Sequence, residues 1–559
     1  SMTGQINIEH KKPTEEKPLF IQASMMSDTK ADFNATSAWQ LSPTVYTILL
    51  GHVSGNFKTY DMNDDGFRDD PKMLQFNVAN RWLYYTPELQ VRWGVKAVRD
   101  HRQGGMDGYD KSGMEPRWAS DESILEPTEG NSFAKYLSES HWGTDITNSL
   151  LNAYLKVGKP LREDGSSSIA AIADWSWQKS DSWFGASSYL ASQQSGFINL
   201  LYRNMLNESH DFTVGLSGTF DHIDEAVAKL DYGLWSGENW NGQRPYSGIA
   251  DHFFGGAYGE YTFHAGDIFT SIVGVSADWY KGSGFKLAPR VTLKYSPAEW
   301  FVARANGGRG LRYADPVADN IGVMSTHSRL QGNCMERLLE DSWTFGGNLT
   351  FYMPLGVDPS KTYVSFDYFR TQFARQLMVD YEVPGTDVNG GRDIWFFDSN
   401  GRRSYSDNWQ VDFNVEPFDR FTVALSCFKG VLNLQYKTNL SRWIFDFTAS
   451  VNGSARVYDF MKDLKDDGGE LLYPDGRTPV YPLLYAQITR RFRGFDIYAG
   501  VENITNFTQM HVLVGDRNAA GEWTPWTPGF DASCVWGPIM GRRINLGVRL
   551  TLWRATKND

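Results

Sequence analysis

The sequence predicts an all-β chain, a transmembrane antiparallel β-barrel of about 22 strands with short periplasmic turns and long extracellular loops. Three observations predict it. Apolar and polar residues alternate in segment after segment, no run of roughly 18 apolar residues occurs, and the connections alternate between short and long.

The alternation is clearest near the C-terminus. Ile544, Leu546, Val548, Leu550 and Leu552 share one face of a strand, and Asn545, Gly547, Arg549, Thr551 and Trp553 share the other. Phe212, Val214, Leu216 and Phe220 repeat the pattern, as do Trp409 to Glu416, Leu432 to Lys437 and Phe445 to Asn452. With no central apolar segment to pack against, the apolar faces are assigned to lipid and the polar faces to a lumen. A soluble sandwich would also alternate, but with more numerous short strands and tight turns at both ends.

Composition narrows the class. Mean hydropathy is negative, which excludes a helical membrane protein but suits a barrel, whose strands offer only alternate residues to lipid. Aromatics make up 14% of the 559 residues, enough for interfacial girdles. The net charge of −12 argues against a nucleic-acid partner. Cys334, Cys427 and Cys534 are odd in number and far apart, so they indicate neither a disulfide framework nor a zinc site and read as isolated small hydrophobes.

The connections orient the barrel. Short turns are expected at Ser42 to Thr44, Thr86 to Glu88, Ser296 to Glu299 and Pro417 to Arg420; long loops at Gln103 to Trp142, Asp221 to Ala250, Asp315 to Glu336 and Lys462 to Pro479. At about 25 residues per strand and connection, the length accommodates roughly 22 strands. One junction is irregular. Only Cys427 and Phe428 separate Phe421–Ser426 from Lys429–Tyr436, which predicts either a missing loop or one continuous strand.

Candidate chemistry is sparse. Asp61, Asn63, Asp65, Gly66, Phe67 and Asp69 match the early positions of an EF-hand-type loop, so Asp61, Asn63, Asp65, Asp69 and the Phe67 carbonyl form a candidate calcium site. Lys72 stands where the bidentate Glu belongs, and a solvated acidic hairpin is the competing reading. Trp118, Trp142, Trp235, Trp240, Trp523 and Trp526 are candidate loop aromatics for a flat or amphipathic ligand, against the simpler role of packing and anchoring. Arg309 and Arg312 could meet an anionic chelate or pair with lumenal carboxylates. No zincin, P-loop or nucleophile-elbow motif is present, so no enzyme is predicted and no cofactor is required.

A resemblance adds to this reading. Gly500 to Asn506 (GVENITN), Phe530 to Ser533, and Val535 to Arg543 (VWGPIMGRR) resemble the closing strands of TonB-dependent outer-membrane receptors; Gly308 to Arg312 and Gly51 to Gly55 carry the same likeness. It covers essentially the whole chain. The resemblance implies active import of a scarce metal chelate (a ferric siderophore, haem or cobalamin) across the outer membrane of a Gram-negative bacterium. It also implies a TonB complex acting through a plug, with a surface lipoprotein as an optional further partner. Thr3 to Pro13 resembles the end of that plug, so residues 1–13 are expected to be plug exit and linker, 14–553 barrel, and 554–559 a periplasmic tail, the rest of the plug being absent. The candidate calcium loop inclines the substrate towards cobalamin. A passive porin, or uptake of a glycan or peptide, is the alternative. The closing strand, Ile544 to Trp553, is expected to pair with a first strand near Leu19 to Ser27.

Overall fold

A computed structural model describes residues 11–114, 140–230, 235–236, 239–240, 243–384, 392–399, 401–427, 430–466, 469–509, 511–519, 521–527 and 529–552; for 235–247 only the backbone is described. Residues 1–10 and 554–559, to which plug exit and tail were assigned, lie outside it, as does Trp118.

The barrel strands, numbered in chain order, begin with β1 (Leu19–Met26), β2 (Ala31–Ser42), β3 (Val45–Asn56), β4 (Phe67–Tyr85), β5 (Gln90–Met106), β6 (Gly143–Pro160) and β7 (Ser167–Phe184). They continue with β8 (Ser187–Asn207), β9 (His210–Leu230), β10 (Gln243–Ala265), β11 (Phe269–Tyr280), β12 (Gly284–Ala298), β13 (Phe301–Tyr313), β14 (Leu339–Tyr352) and β15 (Tyr363–Arg375). The last seven are β16 (Ser404–Phe418), β17 (Phe421–Cys427), β18 (Gly430–Lys437), β19 (Trp443–Asn452), β20 (Tyr481–Arg491), β21 (Phe495–Glu502) and β22 (Arg543–Leu552).

They form one sheet of 22 strands in which each pairs antiparallel with its neighbours in sequence. The circuit closes between β1 and β22, from Leu19 opposite Leu552 to Met26 opposite Asn545. Closure leaves no strand edge in lipid, the requirement that predicts this pairing. Along β22 the residues alternate in exposure, and Leu546 is 59% exposed, as a lipid-facing side chain must be when no lipid is counted. Gly547 on the inner face lets the Tyr498 ring lie against the strand; a Cβ there would fall 2.3 Å from that ring.

Short turns and long loops segregate as expected. The rim holding the Pro43, Pro87 and Asp419 turns faces the periplasm, and the opposite rim carries the long connections. Two expectations change. The Asp221 to Ala250 loop is largely sheet, because β9 and β10 stay paired up to Leu230 and Gln243, well above the lipid band. The irregular junction joins two strands, β17 and β18, paired antiparallel from Phe421–Tyr436 to Ser426–Val431, so a single continuous strand is excluded. Cys334 and Cys534 are buried as small hydrophobes, whereas Cys427 is exposed.

Among the described residues no helix is long and apolar enough to cross a membrane, and the strands do the crossing. Outward side chains of β9 (Val214, Leu216, Phe220) and β12 (Phe285, Leu287, Val291, Tyr295) are exposed and apolar.

Candidate functional site

The long-loop rim is roofed. Residues 503–542, between β21 and β22, reach the far side of the mouth, where Trp526 donates its indole N–H to the Ser140 carbonyl at 3.0 Å. Trp526 and Phe530 join Trp142, Trp183, Leu230 and Phe67 in an apolar cluster that ties the β5–β6 and β21–β22 connections to the ends of β4, β7 and β9. Phe530 is fully buried and meets Trp142 edge-on at 5.1 Å between ring centres.

A second apolar cluster adjoins the first. It packs Val323, Met324 and Leu330, from the β13–β14 connection, against Phe184 and Val227 of the barrel wall and Ile394 and Phe396 of the β15–β16 connection. Three short strands outside the barrel hold these connections in register: Arg329–Gly332 runs parallel to Arg392–Asp398, which pairs antiparallel with Leu377–Pro384. Backbone contacts then fasten the β13–β14 connection to the closing loop. The Ala532 amide donates to Ser325 at 3.1 Å, and the His327 amide to Phe530 at 3.1 Å.

Charges inside the roof are paired. Arg329 makes two 3.0 Å hydrogen bonds to Asp393. Arg392 reaches Asp531 at 2.8 Å while lying 3.4 Å over the Phe460 ring, so one guanidinium joins three loops. Arg337 meets Glu225 at 3.0 Å and also Asp315. Lys229 is fully buried and donates to the Thr326 carbonyl. Beside it His327 is buried between Trp526 and Phe530, and its Nδ1–H donates to the Thr527 carbonyl at 2.9 Å. Burial first, and the Lys229 charge second, push its acid constant down to about 3, so the ring is neutral at physiological pH.

Below the roof the inner wall of β8 to β16 borders a cavity of about 930 Å³. Phe254, Tyr258 and Phe369 supply aromatic faces, and Asn306, Thr344 and Asn408 supply polar ones. Phe369 lies over Gly346, where a Cβ would fall 2.3 Å from the ring. These residues were not singled out in sequence because each is merely the inward member of an alternating strand; the available signal was a glycine beside an aromatic on the lumenal face.

The sequence-predicted residues fare differently. Asp61, Asn63, Asp65, Phe67 and Asp69 do share one turn. There Asp61 accepts the Gly66 amide at 2.8 Å, Asp65 the Phe67 amide at 2.8 Å and the Asn63 amide side chain at 2.9 Å, and Asp69 the Met62 amide at 2.6 Å. The carboxylates are thus directed at the loop's own donors, and among the described residues no group of three or more His, Cys, Asp or Glu is arranged to hold a metal. Burial raises the acid constant of Asp65, and raises that of Asp69, on the extracellular extension of β4, to about 6, with Asp61 adding repulsion in both cases.

Arg309 is not inward. It sits opposite Trp343 on the lipid-side face, forks onto Asp341 at 2.9 and 2.6 Å, and donates to the Leu287 carbonyl. Arg312 lies on the inner face and pairs with Asp319 and, at 3.3 Å, with Glu340. Trp235 and Trp240 face each other across a two-stranded ribbon between β9 and β10, with side chains outside the described set.

A closed antiparallel circuit of 22 strands with one roofed rim is the fold of a large outer-membrane receptor barrel. Solved structures of that fold align over nearly the whole chain. A siderophore receptor, PirA, from Acinetobacter baumannii aligns with 97% of this chain and 81% of its own at 12% identity and a TM-score of 0.63. The ferripyoverdine receptor of the outer membrane of Pseudomonas aeruginosa, bound to ferripyoverdine, aligns with 97% of this chain and 72% of its own at 11% identity and a TM-score of 0.64. The ferric enterobactin receptor PfeA of Pseudomonas aeruginosa, a double mutant, gives 96%, 80%, 10% and 0.62. At these identities the likeness is one of fold. No family profile and no curated protein matches the sequence.

Proposed function

We propose that this chain forms the conduit of an active importer that carries a scarce metal chelate across the outer membrane of a Gram-negative cell, driven by a TonB complex. The observation that carries the proposal is the roof: loops from opposite sides of a 22-strand barrel pack into apolar clusters over its mouth. A passive porin needs a mouth that stays open, whereas an energised receptor needs one that captures cargo and then yields.

Ferric siderophores lead the substrate classes, because the receptors of like fold quoted above are named for them; haem and cobalamin follow, and glycan or peptide uptake is the alternative. The aromatic and amide wall of the lumenal cavity suits a bulky chelate with both apolar and polar surface. Calcium in the Asp61 loop is retained as an accessory ion, supported by two crowded, partly desolvated carboxylates whose repulsion a cation would relieve.

The test is growth of a deletion strain on single iron, haem or cobalamin sources. A deficit on one source, restored by the wild-type gene and not in a strain lacking TonB, is the expected result. Normal growth on every source, together with a large steady conductance of the full-length, plug-bearing protein in planar bilayers, would replace the importer with a porin.

A further inference from the structure

We infer that Arg81 and Tyr154 are positioning residues that clamp residues 11–18 across the inner wall as a folded strap, which pays out when the chain ahead of it is pulled. Directly opposite residues on neighbouring strands share a face, and one row runs Ala38, Ile48, Arg81, Gly94, Tyr154 across β2 to β6. Their sequence neighbours Trp39, Leu49, Val95 and Leu155 are exposed on the lipid side, so this row faces the lumen.

An inward side chain on a bare wall would be open. Ala38 and Ile48 are instead almost wholly buried, and the path of the strap accounts for it. At one end the Pro18 carbonyl accepts the Ala38 amide at 3.3 Å and the Ser37 hydroxyl at 2.6 Å, which continues the β1–β2 ladder. At the other the Lys11 carbonyl accepts an N–H of Arg81 at 2.6 Å, so the chain between passes from β2 over β3 to β4.

Arg81 is preset for this contact. Its Nε donates to the Tyr154 hydroxyl at 2.8 Å, and its guanidinium lies 5.9 Å from the centre of that ring. Tyr154 belongs to β6 and reaches β4 only by lying across Gly94 of β5, where a Cβ would fall 2.8 Å from the ring. The remaining guanidinium donors are thereby aimed at the strap, and a charged donor makes the stronger kind of hydrogen bond.

Between its two ends the strap holds excess chain. Seven residues reach about 24 Å when extended, yet two strand spacings span only about 10 Å. The excess is folded into a turn, where the Glu15 and Glu16 amides donate to the Lys12 carbonyl at 3.1 and 3.3 Å. That turn borders a cavity of about 330 Å³ shared with Leu83 and Gln90 of the wall. Its ion pairs, Lys12 with Glu15 at 3.2 Å and Lys11 with Glu16 at 3.4 Å, are largely solvated and brace it weakly. A pull on residues ahead of Lys11 therefore meets Arg81 first and releases about 14 Å of chain. Only then is β1 loaded, and it is paired along its length with both β2 and β22. The pull rests on the TonB-driven reading proposed above; the clamp does not.

Cysteine accessibility tests the clamp. In a C427S background, I48C lies under the strap and should react with a charged maleimide at least tenfold faster in R81Q than with Arg81 in place. G94A displaces the Tyr154 ring without touching the strap and should accelerate labelling at least threefold, while K96Q, an inward charge of the same wall, should leave the rate unchanged. Should I48C fail to fold, A38C in the same row replaces it. Equal rates in R81Q and K96Q overturn the clamp, and an unchanged rate in G94A overturns the role of Tyr154. Optical tweezers holding residues 1 and 559 of the full chain test the pay-out. A low-force extension of about 14 Å should precede strand unfolding and be absent in R81Q; the same step in R81Q, or a first step that already frees a strand, overturns it. Neither assay uses TonB, so failure here removes the strap and leaves the importer to its growth test.

Discussion

Acidification from pH 7 to pH 5 should loosen the roof by a calculable amount through His327. Its acid constant is pushed from the usual 6.5 to about 3, so between those values the open, solvated form binds more protons than the closed one. The contribution is complete above pH 6.5 and is lost as pH falls towards 3. At pH 5 the penalty covers 1.5 pH units below the solvated value, or about 2 kcal/mol, roughly a 30-fold rise in the opening constant. The reporters are the amides of Val514 and Asp531, which hydrogen-bond each other's carbonyls at 2.9 and 2.8 Å, and that of His327. Hydrogen exchange measured across this range, corrected for the intrinsic rate, should show the change at these amides and not in β8 or β20. The His327→Gln variant, which keeps a donor but does not titrate, should abolish the step. A flat profile in the wild type, or an unchanged step in the variant, would refute the assignment of His327 as the roof's acid-sensitive element.

Other outcomes follow from the same packing. Phe530→Ala removes a fully buried ring and should weaken the roof by about 3–5 kcal/mol, seen as exchange confined to the loops; equal loss in the barrel strands would contradict a separately opening roof. Gly346→Ala places a methyl 2.3 Å from the Phe369 ring and 2.4 Å from the Tyr368 carbonyl, and should cost about 1–3 kcal/mol in denaturant unfolding, with an unchanged midpoint counting against the geometry. A membrane-permeant maleimide should label Cys427, which shares the outward face of its strand with Leu425, in the folded protein. Cys334 and Cys534 are buried and should react only after unfolding, and in the folded protein burial also raises the acid constant of Cys534, keeping its thiol protonated. For the Asp61 turn the sign is opposite to that of His327. The raised constants of Asp65 and Asp69 make the calcium-free turn more stable near pH 4 than above 6, and exchange at the Gly66 amide should rise across that range. Millimolar calcium at pH 7 should reverse the rise, and D65N/D69N should be insensitive to both.

Strand identity was legible because a barrel strand reports its two environments through neighbours in sequence. Ile544 to Leu552 needed only their own alternation, and the closure with Leu19 to Met26 needed only the rule that no edge is left in lipid. Arg309 shows where that local reading stops. Gly308 and Gly310 flank it without a side chain, so polarity alone did not say which face it takes, and the register with Trp343 decides it. The roof was illegible for a different reason. Its contacts join Lys229 to Thr326, His327 to Thr527, and Trp526 to Ser140, 386 residues apart, and no periodicity links such segments.

The composition of that roof bears on how it works. A wholly apolar plug of loops would resist opening in proportion to the area it returns to water. Here much of the interior is ion pairs, Arg329 with Asp393, Arg392 with Asp531, Arg337 with Glu225, together with the Lys229 ammonium. Buried pairs contribute little net stability, because the hydration that the charges regain on exposure offsets the attraction they lose. They do fix register, since a half-open arrangement strands one member of each pair. On the proposed importer reading, a roof so composed passes between shut and open at moderate cost and disfavours half-open arrangements, as loops over a cargo require.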